Sequence, residues 1–117
     1  MNEYIVDTQI KPAWVQYPPL FQRLVEQRVV NLCPWHIFTA SDAMSRMAGL
    51  AVRYPSRHLF PFAYRQDNDD LACWAPDIAP RVLVIHDFAS PGWESREDFS
   101  DFTSWFRMAV EETINWD

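Results

Sequence analysis

Two groups of side chains in the sequence have residue types that could do chemistry. His86 precedes Asp87 at the end of an apolar run, and such a pair can serve in general acid–base catalysis. Asp67, Asp69 and Asp70 place three carboxylates within four residues, and Ca²⁺ prefers clustered oxygen ligands. This acidic segment lacks the glycine and the closing glutamate of an EF-hand loop, so a solvated turn is the simpler interpretation. We expect no catalytic residue and no metal site, and a small metal-dependent hydrolase built on these groups stays as the alternative.

Other recognisable catalytic and cofactor motifs are missing from the sequence. The only glycines, Gly49 and Gly92, cannot form either of the glycine-rich loops that cradle nucleotide phosphates. The three histidines are scattered and form no zinc-binding pair on a helix. Cys33 and Cys73 lie 40 residues apart without a Cys-x-x-Cys motif, which excludes a zinc knuckle and a disulfide scaffold. We therefore expect no cofactor, and two buried thiols in a reducing compartment.

The acidic charge is concentrated in the last quarter of the chain. The net charge is −6, and residues 86–117 alone hold eight acids and two bases. Residues 1–85 hold eight acidic and eight basic residues, so their net charge is zero. This asymmetry favours a cationic partner, because an acidic surface attracts basic proteins and repels polyanions. We expect a protein partner with a basic surface and no binding of nucleic acid.

Several acidic and aromatic residues lack an evident local reason for their position. Glu111 and Glu112 lie near the carboxyl end of the predicted last helix, where the helix dipole disfavours anions. Arg107 can offset Glu111, but Glu112 has no such local partner. Trp93 and Trp116 fall outside any periodic pattern, so each is either a plug of the core or an exposed binding residue. The candidate partner contacts are Asp67, Asp69, Asp70, Trp93, Glu94, Glu111 and Glu112.

The chain of 117 residues fits a single domain, since compact domains usually hold about 100–150 residues. Residues 1–18 contain prolines and predict an extended or loosely docked arm. No signal peptide and no membrane-spanning run is evident, so we expect a cytoplasmic protein without membrane contact. A monomer or a weak homodimer is the expected state.

Apolar periodicity predicts two helices in the first half of the chain. Residues 20–32 repeat apolar side chains at helical spacing, and Pro34 stops this helix. Ser41 or Asp42 is a plausible N-cap of a second helix, which Pro55 ends. These elements provide the helical layer of the fold.

The middle of the chain changes to the pattern of strands. Residues 59–75 predict a β-hairpin with its turn at residues 66–70, and Pro61 indicates a bulge or an edge strand. Residues 81–86 are apolar without alternation, which favours a central strand covered on both faces. A last helix is predicted from Ser95, with Glu97 and Asp98 in its first turn. The result is an α+β fold, an antiparallel sheet flanked by helices.

Three segments together resemble the SUKH superfamily, whose bacterial members are similar to a fungal regulator of cell-wall synthesis. They are PFAYRQDNDDLACW at 61–74, VIHDFASPGWE at 84–94 and FSDFTSWF at 99–106. The resemblance implies an α+β fold and, for many bacterial members, an immunity protein that neutralises a toxin, often a nuclease. It implies no catalytic set and transfers no inhibitory residue. We expect a non-catalytic protein that binds a cognate toxin, with a regulatory scaffold as a further alternative.

Overall fold

The fold is a six-stranded antiparallel sheet with three helices, described here for residues 2–116 of a computed structural model. The strands lie in sequence order and are β1 (Asn31–Leu32), β2 (Trp35–Ile37), β3 (Phe60–Arg65), β4 (Asp70–Trp74), β5 (Val82–His86) and β6 (Ser95–Phe99). The helices are α1 (Pro19–Glu26), α2 (Ala40–Arg53) and α3 (Phe102–Asn115). This confirms the predicted α+β class. No helix within residues 2–116 has the length and apolar character needed to cross a membrane.

Helices cover both faces of the sheet. Consecutive strand residues point to opposite faces, and on one face Trp35 of β2 meets Trp105 of α3 with ring centroids 5.4 Å apart. On the other face His36 stacks on Tyr64, at the side where Arg46 of α2 lies. The sheet is therefore the middle layer, and α1 and α3 share the face opposite α2.

Aromatic rings fill the core between the sheet and the helices α1 and α3. Phe62 and Trp74 stack at 4.3 Å, and Phe62 also meets Phe102 and Trp105 edge-on. Each such ring is almost fully buried, so truncating Phe62 to alanine should cost about 3–5 kcal/mol. The predicted hairpin and the buried strand β5 are confirmed. Pro61 marks a bulge rather than an edge, since the register shifts between Pro61 and Ala63.

The first helix is shorter than its apolar periodicity predicts. It ends at Glu26, because Arg28 adopts a left-handed conformation with φ of 61°. The amide of Arg28 donates to the carbonyl of Val25, and that of Val29 donates to Leu24. These two bonds are the Schellman arrangement that closes helices, which usually has glycine where arginine stands here. The prediction of helix to residue 32 is wrong, and β1 begins at Asn31.

The segment predicted to open the last helix is instead an edge strand. Ser95–Phe99 pairs with β5 as β6, so Ser95 is not an N-cap. Helix α3 begins after Asp101, whose carboxylate accepts a hydrogen bond of 2.8 Å from the amide of Ser104. Acidic residues lie close to both Ser95 and Asp101, so local sequence does not show which of the two begins the helix. The pairing of Ser95–Phe99 with β5 decides it. The N-cap of α2 is likewise Thr39, not Ser41 or Asp42.

The amino-terminal segment packs against the domain instead of extending from it. Val6 and Val15 are each 1 % exposed and belong to the core. The amide of Val6 donates to the hydroxyl of Tyr17, and burial raises the pKa of that phenol. The prediction of a loosely docked arm over residues 1–18 is therefore wrong for the described residues 2–18.

Candidate functional site

The topology brings three chain connections to one end of the sheet. Because consecutive strands pair antiparallel, the β1–β2, β3–β4 and β5–β6 connections all fall at the same end. The amide of Gln66 donates to the carbonyl of Pro34, and the amide of Asp87 donates to that of Asp69. We call this surface, formed by residues 33–34, 66–70 and 87–94, the loop end. It holds five of the seven predicted contacts.

The acidic turn, residues 66–70, lies largely in solvent at the loop end. Asp67 pairs with Arg65 at 2.7 Å, and the carboxylate Oδ1 of Asp70 lies 2.8 Å from Nδ1 of His86. Arg96 reaches Asp70 only at 3.9 Å. Asp69 is exposed and, within residues 2–116, forms no salt bridge. The turn therefore presents negative charge that its own neighbours do not fully compensate.

The neighbouring connection, residues 87–94, is held by arginines from the end of α2 and the segment that follows it. We call this connection the aromatic loop. Asp87 is fully buried and accepts two hydrogen bonds of 2.7 Å from Arg53 at the end of α2. Arg46 approaches the same carboxylate at 3.4 Å, and the amide of Phe88 donates to it at 2.8 Å. A buried carboxylate needs such compensation, because an unpaired charge in the interior is costly.

A second arginine holds the far side of the aromatic loop. Arg57 donates to Glu94 at 2.8 Å, and the amide of Gly92 donates to the other carboxylate oxygen at 2.6 Å. The hydrogen bond from Arg57 holds the pKa of Glu94 below its usual value, although burial opposes the shift. Glu94 is 6 % exposed. Its prediction as a partner contact is corrected: the side chain supports the loop from inside.

A buried tyrosine adds a third anchor between the two arginines. Tyr54 donates its hydroxyl proton to the carbonyl of Ala89 at 2.8 Å. Burial raises the pKa of this phenol, and the nearby carboxylate of Asp87 raises it further. The tyrosine therefore stays protonated and keeps its role as a donor.

The anchored loop displays two large aromatic side chains to solvent. Trp93 is 81 % exposed, which excludes its role as a plug of the core, and Phe88 is 61 % exposed. Phe88 adopts φ of 67°, a left-handed conformation that is unusual for a bulky residue. The guanidinium of Arg53 lies 4.2 Å from the centre of the Phe88 ring. Sequence reasoning missed Phe88, because nothing local marks it as exposed within an apolar stretch.

The remaining predicted contacts lie on α3. Glu112 bonds to Arg65, and Trp35 Nε1 approaches its carboxylate at 3.4 Å. These partners supply the stabilisation that the sequence lacks locally, so the argument for a partner-facing Glu112 no longer applies. Glu111 is exposed. Trp116 is 38 % exposed and lies beside Arg65, with the guanidinium 5.6 Å from its ring.

The geometry does not assemble His86 and Asp87 into one catalytic pair. The ring of His86 bonds to Asp70, whereas the carboxylate of Asp87 is enclosed by Arg53. Within residues 2–116, no three histidine, cysteine or acidic side chains group closely enough to hold a metal ion. The Asp70–His86 pair is the one part of the hydrolase alternative whose side chains meet.

Comparison of the chain with protein-family models, with curated proteins and with solved structures gives no match. The loop end is the structural feature that bears on function. Its combination of exposed aromatic rings, solvated carboxylates and a firmly anchored backbone is typical of a protein-binding surface.

Proposed function

We propose that this chain is a non-catalytic protein-binding protein that acts as an immunity protein against a cognate bacterial toxin. The sequence resemblance to the SUKH superfamily supports this class of function. The partner surface would be basic, as expected for a toxin that cleaves nucleic acid. The loop end is the proposed contact surface, with Phe88 and Trp93 at its centre.

One observation carries the proposal: two exposed aromatic residues stand on a loop that buried ion pairs anchor. Aromatic residues dominate the energetics of protein interfaces, because they bury a large area at a low cost in side-chain entropy. Trp93 and Phe88 are mostly exposed, and neither ring belongs to the hydrophobic core. The adjacent acidic turn supplies charge that would steer a basic partner towards them.

The test is protection of cells from the toxin. Where the gene immediately upstream of this chain encodes a large secreted protein, its variable carboxyl-terminal part is the toxin module to use. Co-expression of the wild-type chain should restore growth, and the purified pair should form a complex that high salt weakens. A toxin that kills cells despite the wild-type chain contradicts the immunity function.

A matched pair of variants connects protection to the loop end. Phe88→Ala with Trp93→Ala should weaken binding by about thirtyfold or more, the effect of removing interface hot spots. Ile10→Ala is the control, because Ile10 is also exposed, at 63 %, but lies in the amino-terminal segment. Equal loss in both variants would indicate a general defect and contradict the proposed surface.

A third variant separates binding from catalysis. His86→Ala removes the only ring that could exchange protons in the hydrolase alternative. It should leave protection intact, since His86 is the last residue of β5 and lies outside the loop end. If protection disappears while the complex still forms, the protein acts by catalysis and the binding proposal is overturned.

A further inference from the structure

Besides compensating the buried charge of Asp87, Arg53 contacts the first half of the aromatic loop at Phe88. We infer that the loop is assembled before any partner arrives and that Arg53 is its positioning residue, for which Gly49 makes room. This inference rests on the proposed function, because it concerns how the loop end is prepared for a partner. Its physical content, however, can be tested on the isolated protein.

Gly49 is the first observation. It lies in the interior of α2, where glycine costs about 1 kcal/mol relative to alanine. A Cβ atom at this position would lie 2.7 Å from Nη2 of Arg53 and 3.0 Å from Nη1. The guanidinium therefore occupies the space that a side chain at residue 49 would take. The helix thus has glycine at the position over which the arginine folds back to reach Asp87.

Phe88 is the second observation. A bulky residue in the left-handed region is strained by about 1–2 kcal/mol, and Phe88 has no glycine or asparagine chemistry to relieve it. Two contacts of one anchor hold it there: its amide donates to Asp87, and its ring lies over the guanidinium of Arg53. Loss of the Arg53–Asp87 pair removes both constraints together. The ring would then move to commoner conformations and leave its displayed position.

Arg57 provides an internal comparison within the same loop. It anchors Glu94, and Glu94 holds the amide of Gly92. This second anchor shares no hydrogen bond with Arg53. A change at Arg53 should therefore loosen the first half of the loop and leave the second half in place.

Preassembly matters because ordering a loop during association reduces the affinity that its contacts can deliver. A loop held in its bound shape avoids that cost. Arg53 contributes in this way without touching the partner, which makes it a positioning residue and not a contact.

The experiment measures amide hydrogen exchange in the isolated protein for Gly49→Ala and Arg53→Lys. Lysine keeps the charge but cannot make the two parallel hydrogen bonds. Val52→Ala is the control, because Val52 is 81 % exposed on the same helix. Exchange at Phe88 and Ala89 should become about tenfold faster, the effect of losing one charge-assisted hydrogen bond.

Two further readouts distinguish positioning from general damage. The amide of Gly92 should keep its protection, and Gly49→Ala should lower the melting temperature less than Arg53→Lys does, since alanine favours the helix. Unchanged exchange at Phe88 in both variants overturns the inference. A uniform increase across the sheet would also overturn it, because Arg53 would then be a stability residue only.

The last arm uses the toxin module described above. Both variants should bind it about tenfold more weakly, with wild-type binding retained in Val52→Ala. Faster exchange at Phe88 with unchanged affinity for the toxin module would show that the conformation of the loop does not affect binding. If the wild-type chain binds no toxin, the proposed function fails, while the exchange data still decide whether Arg53 positions the loop.

Discussion

The acidic turn and the aromatic loop both place acidic residues at the loop end, but the turn exposes them to solvent and the loop buries them. In the turn, Asp67 and Asp69 are exposed. In the loop, Asp87 and Glu94 are buried, each held by an arginine at or just beyond the end of α2. Burial beside an arginine decides the role of each carboxylate: the exposed acids define the field around the protein, and the buried ones hold the shape of the loop.

This difference changes the meaning of the net charge. The sequence carries an excess of acids in its last quarter, yet two of those acids, Asp87 and Glu94, face arginines inside the protein. The charge available to a partner comes from other positions, notably Asp69 in the preceding turn. Sequence charge predicts the sign of the partner better than it predicts the contact residues.

The largest expected difference between the two regions is in folding stability. Arg53→Met should destabilise the protein by about 3–5 kcal/mol, because it leaves the buried carboxylate of Asp87 without its main partner. Asp69→Ala should change stability by less than about 0.5 kcal/mol, as expected of an exposed side chain. Urea unfolding of both variants measures the contrast. Similar urea midpoints for the two variants would show that the acidic turn and the aromatic loop contribute equally to folding stability.

Most of the fold could be predicted from the sequence, because its signals are local. Alternating and continuous apolar runs identify the hairpin and β5, and the acidic residues between Arg65 and Leu71 identify the turn. The strand β6 could not be predicted. Its first four residues are polar and exposed, and only pairing with β5 defines it.

The candidate site was predictable only in part, for a related reason. The lack of a periodic pattern at Trp93 singles the residue out but leaves both a core plug and an exposed residue open, and the structure shows it exposed. The burial of Glu94 depends on Arg57, which lies 37 residues earlier in the chain. No local spacing indicates that contact, and the same holds for Arg53 and Asp87, 34 residues apart.

The second prediction concerns folding stability at acidic pH. Arg57→Met should cost about 1–3 kcal/mol at neutral pH, the range for a hydrogen bond to a charged group. The folded protein holds the pKa of Glu94 below 4.5, so the stability from this pair is complete above about pH 4.5 and is lost as the pH falls through the lowered pKa. The gap between wild type and variant should therefore narrow in acid.

Thermal unfolding of both proteins between about pH 7 and pH 3 measures this gap. Asp67→Asn is the comparison from the exposed turn, and it should give no comparable narrowing. A gap that stays constant with pH would show that Arg57 stabilises the protein by packing instead of by charge.

The smallest effects are expected from the acidic turn, and they should appear in kinetics. Asp67→Asn with Asp69→Asn should leave folding stability nearly unchanged but slow association with the toxin module by about two- to tenfold at low salt. The dissociation rate should change little, because charges at a solvated rim act mainly on the encounter. Stopped-flow measurement at low and high salt checks both rates, and the difference from wild type should shrink as salt screens the charges. An unchanged association rate with faster dissociation would instead make the turn a direct contact, and the division between a steering turn and a contacting loop would no longer hold.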